Sequence, residues 1–182
     1  LITVPWELDA IRSMIAGAAA RDGVPERPLG MMVETPGVLF QLEALLRRVD
    51  FVSVGTNDLT QYLLAVDRDD ELVRQYYSSL QPAVLRALAF LQDGLRGSGL
   101  SASVCGEMAS TPLGALALLA LGYRTLSVRP RAIQALRCLV HCVPQGSLAA
   151  LYELLLAAES PADAERALRH TLRRHAPFLL GL

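Results

Sequence analysis

Val49-Asp50-Phe51-Val52-Ser53-Val54-Gly55-Thr56-Asn57-Asp58 is the stretch whose reading decides the fold. An apolar, β-branched run stops abruptly on Gly55-Thr56-Asn57-Asp58, small and polar residues suited to the end of a buried strand and the turn into a helix. Similar runs lie at Leu29–Val33, Ser101–Val104 and Thr125–Val128. Their apolar residues are nearly continuous, the pattern expected for strands covered on both faces by helices. Between them the periodicity is helical, over Gly37–Arg48, Pro82–Arg96 and Pro112–Leu121. Pro36, Pro82 and Pro112 fall where a first helical turn accepts proline, and Gly97 and Gly122 where helices end. Strands alternating with helices at a spacing of about 20 residues imply βα units and a parallel sheet.

The interval between the second and third runs is longer, and Asn57–Leu80 is expected to form extra helix or loop above the sheet. Leu1–Val4 reads as the end of a further strand, with a helix near Glu7–Ala20. After Val128 only helix is expected, over Pro130–Val143, Ser147–Ala158 and Pro161–His175.

Composition fits an ordered globule, with 182 residues, 52 % hydrophobic and a formal charge of −1. Such a charge offers no general attraction to nucleic acid or acidic membranes. All 17 basic residues are arginines, which excludes a lysine Schiff base. Three cysteines, Cys105, Cys138 and Cys142, with no secretion signal at the start, point to a reducing, cytoplasmic setting. The longest apolar runs, Leu113–Leu121 and Leu154–Ala158, are too short to span a bilayer.

In a parallel β/α sheet every strand C-terminus lies on one side, so residues that end different strands converge. Here these are Glu34, Gly55-Thr56-Asn57-Asp58 and Cys105-Gly106-Glu107. Glu34 and Asp58 suit a hard divalent cation such as magnesium, which takes one or two carboxylates and fills its octahedron with water and substrate oxygens. Equally, each stands where an acid caps the helix that follows. Arg68 carries a fork fitted to phosphate, or else pairs at the surface with Asp67, Asp69 or Asp70. Cys105 faces the same site; taken alone, such a cysteine reads as a small buried hydrophobe. Cys138, His141 and Cys142 share one apolar helix and lack a fourth ligand, so they read as core.

Met-Val-Glu-Thr-Pro at 32–36, Val-Gly-Thr-Asn-Asp-Leu-Thr-Gln-Tyr at 54–62, Asp-Arg at 67–68 and Cys-Gly-Glu-Met-Ala at 105–109 occur in an order and spacing that resemble one known family. From Met31 to about Leu136 the chain resembles the C-terminal domain of phosphoenolpyruvate-protein phosphotransferase, enzyme I of the bacterial phosphotransferase system. Tyr-Leu-Leu-Ala-Val-Asp-Arg at 62–68 looks most like its nitrogen-related branch. Pyruvate phosphate dikinase and phosphoenolpyruvate synthase share the Asn-Asp-Leu-Thr-Gln core, but Glu-Met-Ala after Cys-Gly fits enzyme I better.

The resemblance implies that Glu34 and Asp58 hold Mg2+, that Asn57, Asp58 and Arg68 bind phosphoenolpyruvate, and that Cys105 protonates the enolate carbon to give pyruvate. It also implies a (β/α)8 TIM-type barrel, of which residues 1–182 would form the C-terminal half as one partial domain followed by extra C-terminal helices. The phosphoryl group would pass to a histidine on a separate N-terminal domain and on to a small phosphocarrier protein, in a homodimeric cytoplasmic enzyme.

Two features depart from the family. Its other phosphate-gripping arginines have no counterpart here, and Arg129-Pro130-Arg131 replaces a small polar run after the last strand. Those two arginines read more naturally as solvated surface than as an anion site. A synthase or dikinase, or a non-catalytic phosphoenolpyruvate-binding module, are the rival expectations. A closed barrel needs eight strands and about 250 residues, so the 182 residues alone are expected to bind phosphoenolpyruvate weakly.

Overall fold

A computed structural model describes residues 1–181. Three parallel strands, β1 (Gly30–Val33), β2 (Phe51–Gly55) and β3 (Ser101–Cys105), pair in sequence order. Met32 lies opposite Ser53 and Ser53 opposite Ser103, while Gly55 lies opposite Cys105. Among the described residues eight α-helices accompany them: α1 (Pro5–Asp22), α2 (Leu42–Leu46), α3 (Thr56–Leu64), α4 (Pro82–Ser98), α5 (Pro112–Ala120), α6 (Ile133–Cys142), α7 (Gln145–Ala157) and α8 (Pro161–His175). The parallel α/β architecture with additional C-terminal helices is the one expected from the strand–helix alternation.

Local chemistry explains most boundaries. Proline opens the turn after Glu34 and helices α4 and α5, where its missing N–H costs nothing. Helix α4 runs past Gly97 and ends at Gly99, whose φ of 72° supplies the left-handed cap instead. The stretch expected as one helix over Gly37–Arg48 is a 3₁₀ turn, Pro36–Gln41, followed by the short α2. The break falls at Gln41, whose backbone leaves helical angles and whose amide reaches the Thr3 carbonyl at 3.1 Å.

Two expected strands are corrected. Leu1–Val4 forms none; the segment is held by side chains, through Gln41 and through the Thr35 hydroxyl donating to the Ile2 carbonyl at 3.3 Å. Thr125–Val128 contributes only one parallel bridge, Leu126 beside Val104. It is squeezed between Tyr123, which is anchored by its hydroxyl to the Leu88 carbonyl at 2.9 Å, and Pro130, which turns the chain.

The core is one contiguous cluster in which Met31, Val33, Val52, Val54 and Val104 meet α4 and α5. The C-terminal helices add an outer layer: α7 packs on α4 and α5, and α8 on α5 and α7. Arg86 of α4 ties the end of α7 by donating to the carbonyls of Leu156 and Ala158, at 3.1 and 2.9 Å. The strands are covered by helices on one face, not on both as their apolar runs suggested. On the other face Met32 is 40 % and Phe51 43 % exposed. In a closed barrel the corresponding face is the interior, filled by layers of inward-facing strand side chains.

Candidate functional site

Strand side chains alternate, so Met32 and Glu34, Ser53 and Gly55, and Ser103 and Cys105 share the open face. Continued by one residue, the register sets Glu34 beside Gly55, which is paired with Cys105. A row of Glu34, Gly55 and Cys105 therefore closes the sheet at its C-terminal end. Gly55 leaves room for its neighbours in that row. A Cβ there would lie 3.0 Å from the Met32 sulfur, 3.1 Å from the Glu34 Cβ and 3.3 Å from its Oε2.

Asp58 stands in the first turn of α3, directly after this row. Neither acid is a helix cap. The turn after Glu34 is entered through Thr35 and α3 through Gly55, with no side-chain cap bond at either. Burial pushes the Glu34 carboxyl above the ordinary carboxylate range, and the nearby Asp58 charge pushes it further. Two acids that repel each other in a partly desolvated spot are a donor set that a divalent cation fits. They supply hard oxygens in the number magnesium commonly takes from protein. Among the described residues, no three His, Cys, Asp or Glu side chains gather in a metal-binding group, so substrate and water would complete the shell.

Arg68 resolves its own alternatives. Asp67 accepts from the Asp69 amide and Asp70 from the Leu72 amide, each at 2.9 Å, so both acids are engaged in turns. The guanidinium instead lies 3.8 Å from the Asp58 carboxylate, and its Nη1 is buried without a hydrogen-bond partner. A buried donor of that kind is short of an acceptor.

Asn57 and Cys105 are tied to each other by the turns they head. The Glu107 amide donates to Asn57 Oδ1 at 3.0 Å, and the Thr56 hydroxyl donates to the Cys105 carbonyl at 2.8 Å. Gly106 makes this possible: its φ is 104°, and a Cβ there would sit 2.3 Å from Thr56 Oγ1 and 2.9 Å from Asn57 Oδ1. The Cys105 thiol donates to the Val54 carbonyl at 3.4 Å and accepts from the Ser53 hydroxyl at 3.6 Å. Gly55, Thr56 and Gly106 were placed at the strand ends by the sequence, though without a role, while Ser53 escaped it as a site residue.

Outside the site, Cys138 and His141 are exposed on α6 and only Cys142 packs against the core, which corrects the expectation that all three are interior. Amphipathic packing places their side of α6 in solvent while Leu136 and Leu139 face inward. Arg129 is exposed and pairs with Glu107, and Arg131 is exposed as well. No single described helix is long and apolar enough to cross a membrane.

Comparison with known proteins bears on this geometry. Residues 1–144 match the family described as PEP-utilising enzyme, PEP-binding domain. The chain is 41 % identical over 146 residues to a "Phosphoenolpyruvate-dependent phosphotransferase system" protein of Salmonella typhimurium, covering 77 % of this chain and 20 % of that protein. It is 41 % identical over 112 residues to a phosphoenolpyruvate synthase of Pyrococcus furiosus, covering 61 % of this chain and 14 % of the synthase. The chain thus spans a fifth or less of the length of these relatives. A solved citrate lyase of Burkholderia xenovorans shares the fold, with a TM-score of 0.58 at 20 % identity over 96 % of this chain and 61 % of that one.

Proposed function

The chain belongs to the PEP-utilising enzymes, over their PEP-binding domain, and on that footing we propose that it is the phosphoenolpyruvate- and magnesium-binding part of a phosphoenolpyruvate-protein phosphotransferase. The observation that carries this reading is the row Glu34, Gly55 and Cys105 on the open face, with Asp58 and Arg68 beside it.

Each residue has a distinct task. Glu34 and Asp58 would hold the cation, which supplies charge stabilisation to the departing enolate oxygen. Arg68 and Asn57 grip the phosphoryl group, Arg68 with a buried donor that makes no hydrogen bond within the chain. When the phosphorus–oxygen bond breaks, its electron pair stays on the enolate oxygen and the phosphoryl group passes to the acceptor histidine of a separate domain. The Cys105 thiol then gives its proton to the methylene carbon, forming pyruvate, and the thiolate regains a proton from water. Ser53 and the Val54 carbonyl hold the sulfur at the strand end, and the S–H must turn from the carbonyl to the substrate carbon for that transfer.

The remaining expectations belong to the same proposal. Residues 1–182 act as one partial barrel domain of a homodimeric, cytoplasmic enzyme, and the phosphoryl group travels on to a small phosphocarrier protein. The test is pyruvate release from phosphoenolpyruvate by the full-length gene product with magnesium present. Asp58→Asn should abolish it, and Cys105→Ala should block pyruvate formation more than phosphoenolpyruvate binding. A second reading, a synthase, is favoured by the match to the Pyrococcus furiosus protein. Net formation of phosphoenolpyruvate from pyruvate, without phosphoryl transfer to a protein carrier, would select it.

A further inference from the structure

We propose that Tyr77 is a positioning residue that holds Asn57 and Arg68 in a single arrangement for phosphate, an inference that rests on the phosphoenolpyruvate reading above. Helix α3 ends at Ala65 in the left-handed region, with φ at 52°, and the chain then runs without regular structure to α4 apart from a 3₁₀ turn at Arg74–Tyr76. Arg68 lies early in this excursion. A side chain on such a loop has many arrangements open to it, and only a cross-link to the rigid part of the site narrows them.

Local restraints on Arg68 are weak. Its amide reaches Gln61 Oε1 at 3.4 Å and its guanidinium reaches Asp58 at 3.8 Å, both long. The strong link comes from the far end of the loop, where the half-buried Tyr77 donates its hydroxyl proton to the Asn57 carbonyl at 3.1 Å. That bond closes the loop onto the first turn of α3 across 20 residues. The same phenol is flanked by the Arg68 guanidinium and the Thr60 side chain. Thr60 is fully buried with its hydroxyl unpartnered, as Arg68 Nη1 is.

One phenol therefore bonds the Asn57 backbone and stands beside the Arg68 guanidinium. Removing the hydroxyl frees the loop to move Arg68 away from Asn57 without opening the core, because the ring remains. The consequence is loss of substrate grip, not of the proton-transfer chemistry at Cys105.

The experiment is Tyr77→Phe in the full-length gene product, with Tyr76→Phe, an exposed neighbour outside the site, as control. The expected result is a KM for phosphoenolpyruvate raised about tenfold, kcat changed by less than about twofold, and a Tm within about 2 °C of wild type. On an Arg68→Lys background the same change should add less than about twofold, since Tyr77 acts through that arginine. An unchanged KM, or a full additional tenfold on the Arg68→Lys background, overturns the role of Tyr77. Absence of phosphoenolpyruvate-dependent pyruvate release in the wild type would overturn the functional reading and this one with it. Wild-type activity with a silent Tyr77→Phe overturns this one alone.

Discussion

The two faces of the three-stranded sheet are built by the same strands yet carry opposite chemistry. On the helix-covered face, Val33, Val54 and Val104 are wholly buried and hold the fold together. On the open face, one residue along each strand, stand Glu34, Gly55 and Cys105, with Ser53 beneath them. A period of two thus separates stability from function, and a substitution should be felt in one or the other according to its parity.

The harshest way to break that contrast is to put a charge on each face at adjacent positions. Val54→Asp buries a carboxylate without a partner, which costs several kcal/mol, and should abolish the cooperative thermal transition seen by circular dichroism. Ser53→Asp, on the open face, should leave that transition in place. Equal damage from both would show the open face to be structurally covered.

Cys105→Ala sharpens the functional side. In the full-length gene product it should lower pyruvate release by about 100-fold or more while moving Tm by no more than about 2 °C. Unchanged release would return Cys105 to the status of a packing residue.

Gly106→Ala sits between the two regimes. It forces a side chain into a positive φ and against Thr56 and Asn57, so about 1–3 kcal/mol should be lost, read as a lower denaturation midpoint at constant m-value.

The smallest effect has the opposite sign. Burial and Asp58 raise the Glu34 pKa, so the fold favours the protonated acid, and that increment is lost as pH rises through the raised value. At neutral pH without metal, Glu34→Gln should therefore melt on the order of 1 °C above wild type, with the difference vanishing in acid below the ordinary carboxylate range. A variant that melts lower at neutral pH would mean that Asp58 does not repel Glu34.

Much of this was legible in the sequence because strand ends announce themselves. Apolar runs that halt on Glu34, Gly55 and Cys105 placed those positions together without coordinates. The covered face was legible too, but the open one was not: Met32 and Phe51 look as buried in sequence as Met31 and Val52. Composition cannot tell a side chain packed by helices from one on a face left open. Thr125–Val128 was overread for a related reason, since its apolar content is that of a strand while Pro130 curtails the pairing. Tyr77 left no trace, because its contact with Asn57 spans an irregular loop that has no period to read.

The central claim, that Glu34 and Asp58 act as one cation site at the end of the open face, is tested most directly by manganese binding to the chain, read as loss of the free-ion paramagnetic resonance signal. Manganese(II) stands in for magnesium because it prefers the same oxygen donors. The predicted result is one ion per chain, with affinity reduced at least about tenfold by Glu34→Gln and equally by Asp58→Asn. Binding that survives either substitution unchanged, or that responds to only one of them, would contradict a shared site.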